Sequence, residues 1–143
     1  MRGNLIFIKD CLMNLLQKSI FLLCSLLLTS TAYSYDADRA QSNLASDFAE
    51  CAAYYAMSVE GLRRAGADTT KAEEAIAAAY DLAVKFSNHE VTQARINLSI
   101  DEQKKLMNHD FSNIAILIDK YGKFCKELLE KPGNRLQFWL DKK

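Results

Sequence analysis

Proline and glycine are scarce in this chain of 143 residues, with Pro132 the one proline and five glycines in all. Half of the residues are hydrophobic and a quarter charged. Such values argue against a disordered, collagen-like or polytopic membrane chain. Net charge is also missing: 18 basic residues balance 18 acidic ones. A neutral chain has no long-range pull toward nucleic acid or any other highly charged partner. No stretch of alternating β-branched residues suggests a sheet. At this length one domain is expected.

The usual catalytic signatures are absent as well. The sequence has no CxxC, CxxCH, P-loop, GxGxxG, HExxH or nucleophile elbow. Its two histidines, His89 and His109, follow Phe86 and Leu106 at the third position back. The Glu-x-x-His pattern of di-iron bundles is therefore not formed. Met57 or Met107 paired with a histidine would suit a b-type haem, but methionine on an apolar stripe is more often core. The acidic pairs Glu73-Glu74 and Asp101-Glu102 fall where first helical turns are expected, and capping explains them. Lys120, Lys123 and Lys126 are interleaved with Asp119, Glu127 and Glu130, which describes a solvated face. Asn97-Leu98-Ser99 is a glycosylation sequon that has meaning only in a eukaryotic secretory pathway. No catalytic, cofactor, metal or nucleic-acid site is expected.

What is present divides the chain in two. Lys18 precedes the apolar run from Ile20 to Leu28, which breaks at Thr29-Ser30-Thr31. Small residues then offer cleavage after Ala32 or after Ser34. Residues 1–34 read as a secretory signal peptide, with Met13 as an alternative start. The apolar run is well short of the roughly 20 residues that cross a bilayer. A membrane association would follow only if the signal stayed uncleaved. Leu22-Leu23 before Cys24 argue against a lipobox. Residues 35–143 are then the working domain, in the periplasm or outside the cell.

Removing the leader exposes a charge asymmetry. Residues 35–102 carry 12 acidic and 6 basic side chains, whereas 103–143 carry 5 acidic and 9 basic. Cys11 and Cys24 leave with the leader, so Cys51 and Cys125 remain as a single pair. In an oxidising compartment such a pair reads as a disulfide. Closing a loop of about 75 residues is worth roughly 4–5 kcal/mol at most in the chain-entropy model.

Apolar periodicity predicts an all-α antiparallel bundle of about four helices, stapled by that disulfide. A first helix is expected over about 42–65, with Leu44, Phe48, Cys51, Ala52, Tyr55, Val59 and Leu62 on its stripe and Gly66 as its stop. Thr70-Lys71-Ala72-Glu73 predicts a capping box, followed by a helix burying Ile76, Ala79, Tyr80, Ala83 and Val84 and ending near Ser87-Asn88. Residues 89–98 suit either a new helix or a continuation. Ser99-Ile100-Asp101-Glu102 looks like another helix start. Met107, Phe111, Ile114, Ile118, Tyr121, Cys125 and Leu128 form a heptad-like seam, with a break expected at Asn108-His109-Asp110. Pro132-Gly133 should end that helix, leaving a tail able to make two more turns.

Three aromatic residues are candidates for partner contact. Tyr54 and Tyr55 are adjacent and cannot both face one core, so Tyr54 is a candidate, together with Phe138 and Trp139 near the C-terminus. The sequence therefore predicts an exported, non-enzymatic helical protein that binds an unknown protein partner as an accessory subunit, inhibitor or chaperone-like module. A small-ligand or haem carrier with a cavity between helices is the alternative.

Overall fold

A computed structural model gives the fold over residues 36–142. The expected leader, its cleavage sites and Met13, Cys11 and Cys24 lie outside the described residues. The chain divides into two units, Met1–Asp38 and Arg39–Lys143. The described residues form five helices and no strand, and all of these belong to the second unit apart from residues 36–38 at the start of the first helix.

Helix α1 covers residues 36–64, beginning earlier than the predicted position 42. It ends as expected. Gly66 takes a left-handed φ of +67°, so the Ala67 N–H can reach the Leu62 carbonyl at 2.9 Å and the Gly66 N–H that of Arg63 at 3.1 Å. This is a Schellman stop, which a β-carbon at residue 66 would strain.

Helix α2 runs Thr70–Lys85, but its cap is not the predicted box. Thr70 is already helical, and Asp68 Oδ1 accepts from its backbone N–H at 3.0 Å. A carboxylate two residues upstream serves the free donor, and Glu73 instead accepts from the Thr69 hydroxyl at 2.9 Å. Helix α3 runs unbroken over His89–Leu106, with Asn88 Oδ1 accepting from the Val91 N–H at 2.9 Å. The helix start expected at Ser99 is thus wrong. Asn88 has already capped the helix, nothing in the next turns breaks it, and Ser99 lies in its interior.

After α3, Asn108 and His109 adopt φ of +54° and +58°, confirming the expected break with two residue types that tolerate the left-handed region. A short 3-10 turn, Phe111–Asn113, leads into α4, residues 115–130. Its middle, Ile118–Gly122, is a π turn. A π turn takes about one residue more than an α turn, so the buried row shifts. Leu117 is fully buried where Ile118 was expected, and Ile118 is 51% exposed. Gly122 lets Tyr54 approach this turn closely, since a β-carbon there would lie 3.2 Å from the Tyr54 hydroxyl. Helix α5, Pro132–Asp141, follows after Lys131 alone, with the proline in its first turn.

Helix α1 is the axis of the bundle. Leu44, Ala45, Phe48, Ala49, Cys51, Ala52, Ala53 and Met57 bury nearly its whole circumference. Its small residues let neighbours approach closely. Arg95 reaches Ser42, and Gln103 reaches the Glu50 carbonyl, so α3 runs parallel to α1. Ile114 meets Gly61, Tyr121 meets Tyr54, and Cys125 is bonded to Cys51, so α4 runs antiparallel. The Cys51–Cys125 disulfide spans a Cα–Cα distance of 5.4 Å, and both cysteines are fully buried. The protein is an all-α bundle stapled by one disulfide, with five helices where about four were predicted.

Candidate functional site

The most elaborate polar arrangement lies where α5 crosses α1. Asp47 sits on α1 between Leu44 and Phe48, and its side chain is nearly buried. Such a carboxylate requires compensation. Arg135 supplies it through Nε at 2.7 Å and Nη2 at 3.2 Å, and the Trp139 indole N–H donates at 2.6 Å. Arg135 and Trp139 are four residues apart, so one face of α5 presents both donors together. The guanidinium lies 5.1 Å from the Phe124 ring, 4.4 Å from Phe138 and 4.8 Å from Trp139. These contacts hold its planar group without removing the charge. Among the described residues, Arg135–Asp47 is also the ion pair that joins the acidic and basic portions of the chain.

Phe138 and Trp139 divide their labour. Trp139 packs toward the core, while Phe138 is 44% exposed and meets it edge-on at 5.1 Å. Lys142 Nζ lies over both rings, at 5.1 and 4.9 Å. Beside Phe138, a groove of about 450 Å³ opens between α4 and α5. Phe124 and Leu128 line it with Phe138, and Lys131, Asn134 and Arg135 add polar groups. Glu127 and Glu130 also line it, but each pairs on α4 with Lys123 and Lys126 respectively, at 3.9 and 4.0 Å. The groove therefore has an apolar wall and a rim of two carboxylates and two cations, with Lys131 on the rim and Lys142 beside Phe138 as the cations that no carboxylate pairs with among the described residues.

Tyr54 lies elsewhere. It is buried against Tyr121 at 6.0 Å between ring centres, and it is Tyr55 that remains partly exposed. The structure does not bring Tyr54 together with Phe138 and Trp139 at one surface. Burial, with Tyr54 and Glu130 nearby, pushes the Tyr55 hydroxyl pKa up.

A second, smaller cavity of about 190 Å³ lies between α1 and α3, lined by Asp47, Glu50, Arg95, Leu98, Ser99 and Glu102 among others. Burial, then the charges of Asp47 and Glu102, raise the Glu50 pKa above its ordinary value against the opposing influence of the Tyr121 hydroxyl and Lys120. Between the ordinary and the raised value, the folded chain holds a proton that the unfolded chain has released. Glu50 therefore stabilises the fold less as pH rises through that window. Glu50→Gln is expected to raise the melting temperature at pH 7 and to melt with the parent near pH 3, where both residues are neutral. Equal melting at pH 7 would remove this role for Glu50. Beneath the cavity, buried Gln103 donates from Nε2 to the Glu50 carbonyl and to Ser99 Oγ, at 3.2 and 3.1 Å.

The remaining sequence candidates are dispersed. His89 is exposed, with its Nδ1 3.1 Å from the Tyr80 hydroxyl, and His109 is exposed in its turn. Met57 and Met107 are buried in the core. Among the described residues, no group of three or more His, Cys, Asp or Glu side chains is placed to hold a metal ion. No described helix is long and apolar enough to cross a membrane. Asn97 is exposed on α3 and accepts from Gln93 Nε2 at 3.0 Å.

Sequence reasoning missed Asp47 and Arg135. Two signals were there to read: an acidic residue set into the apolar stripe of α1, and an arginine four residues before the chain's one tryptophan. Together, the fold and this clamp define a single-disulfide helical bundle whose C-terminal helix is tied to its central one. Comparisons with protein-family models, with curated proteins and with solved structures find no match to this chain.

Proposed function

We propose that the protein is an exported, non-enzymatic binding module that takes an acidic, apolar segment of another protein along the α4–α5 groove. The observation that carries this reading is Phe138, held half-exposed at the lip of the groove by stacking on Arg135. An exposed aromatic fixed beside a concave apolar wall is a common binding anchor. The cations Lys131 and Lys142 favour acidic residues flanking the inserted side chain. Export is supported by the leader-like sequence and by the buried disulfide, which suits an oxidising compartment.

The test begins with tagged residues 35–143 as bait in the native compartment and continues with the affinity of whatever binds. Phe138→Ala should weaken that complex by about 2 kcal/mol, close to 30-fold. Lys131→Glu should weaken it too, most strongly at low salt. Unchanged affinity in Phe138→Ala, or no enriched partner in repeated captures, would contradict the reading.

A further inference from the structure

We propose that α5 exchanges between two copies of this chain, each copy's Arg135 and Trp139 closing on the other's Asp47. This inference rests on the Asp47 clamp and not on the groove's proposed partner. Helix α5 hangs from α4 by Lys131 alone, and no residue of α5 is fully buried. Pro132 has no N–H with which to tie the junction back to α4. What fixes α5 is the three-bond clamp on Asp47, reinforced by Leu136 and Trp139 against the core.

Release of α5 leaves the nearly buried Asp47 carboxylate without its cation and exposes Phe124 and Leu128. Departure of α5 also uncovers Asp47, so what the released body loses is the charge-assisted hydrogen bonds of the clamp and the cover over its apolar surface. Capture of a matching helix restores both. A second copy carries that helix: an arginine and a tryptophan four residues apart, with Leu136 between them. The contacts made in exchange are the same as those within one chain, which makes swapping a low-cost route to a dimer. A one-residue hinge before a proline favours it further, because a short connection resists small adjustments in place. A short linker gives α5 an effective concentration of about millimolar at its own body. Exchange should therefore become prominent as the protein approaches that concentration.

Two measurements test this. The parent chain, isotopically light and heavy copies mixed at about millimolar concentration, is warmed below its melting point, cooled, diluted and examined by native mass spectrometry. Mixed dimers that decay slowly after dilution are expected, and only monomers at every concentration would overturn the proposal. The second measurement tests the site. Asp47→Arg and Arg135→Asp each set like charges against each other, both within a chain and between identical chains. Mixed together, they restore an opposite-charge pair at both clamps of a swapped dimer. The mixture should give a one-to-one heterodimer by size-exclusion light scattering, while each variant alone does not dimerise. Dimers of the parent that persist unchanged in each single variant would place the interface elsewhere and overturn the exchange of α5.

Discussion

Replacing both Cys51 and Cys125 by alanine is expected to lower the unfolding free energy by about 3–4 kcal/mol. The bond joins positions 74 residues apart, so the oxidised unfolded chain is far more restricted than the reduced one. That restriction has an upper worth of about 4.5 kcal/mol in the chain-entropy account. Native strain and residual structure in the unfolded chain reduce the figure. For a domain of this size the loss corresponds to a fall of roughly 12–25 °C in melting temperature. Thermal unfolding followed by far-ultraviolet circular dichroism reads it directly. Because both cysteines are fully buried, mild reductant should act on the folded parent only as fast as it opens. A double variant melting within a degree or two of the parent would show that the staple is dispensable.

Phe48→Ala is expected to have an effect of similar size, about 3–5 kcal/mol. Phe48 is fully buried near the middle of the axial helix, and its ring lies parallel to that of Phe86 at 6.3 Å between centres. Truncation removes apolar contact with several neighbours at once and leaves a cavity that the short side chains around it, Ala45, Ala49 and Ala52, cannot fill. Phe48→Leu should recover more than half of the loss. Denaturant titration of the three proteins checks the order. Phe48 is one turn from Cys51, so its effect and that of the cysteine pair will not add simply. A Phe48→Ala protein as stable as the parent would contradict the central placement of α1.

The parts of this fold that sequence discloses are those set by periodicity over many residues. Leu44, Phe48, Cys51, Ala52 and Val59 of the α1 stripe are buried as their spacing predicts, whereas Tyr55 and Leu62 are only partly so. Cys51 and Cys125, the one pair outside the expected leader, are bonded. The failures are local. Ser99-Ile100-Asp101-Glu102 has the letters of a cap, but letters do not say whether a helix is already running. Asn88 had started one, and the Ser99 hydroxyl accepts from Gln103 instead. The seam reading placed Ile118 inside because it assumed one constant period, whereas the π turn beside Tyr54 puts Leu117 there. The Asp47 clamp was hidden for another reason. Its partners are 88 and 92 residues away, and only the path of the chain brings them together. Phe138 and Trp139 were recognisable as aromatics of interest, yet which one faces outward depends on which one reaches Asp47.

Export and oxidation underlie the proposed role, and the intact mass of the protein recovered from its native cell reads both at once. The expected result is a chain beginning at Tyr33 or Tyr35, lighter by two hydrogens than the same chain after reduction, and found outside the cytoplasm. A full-length chain recovered from the cytoplasm with free thiols at Cys51 and Cys125 would contradict it.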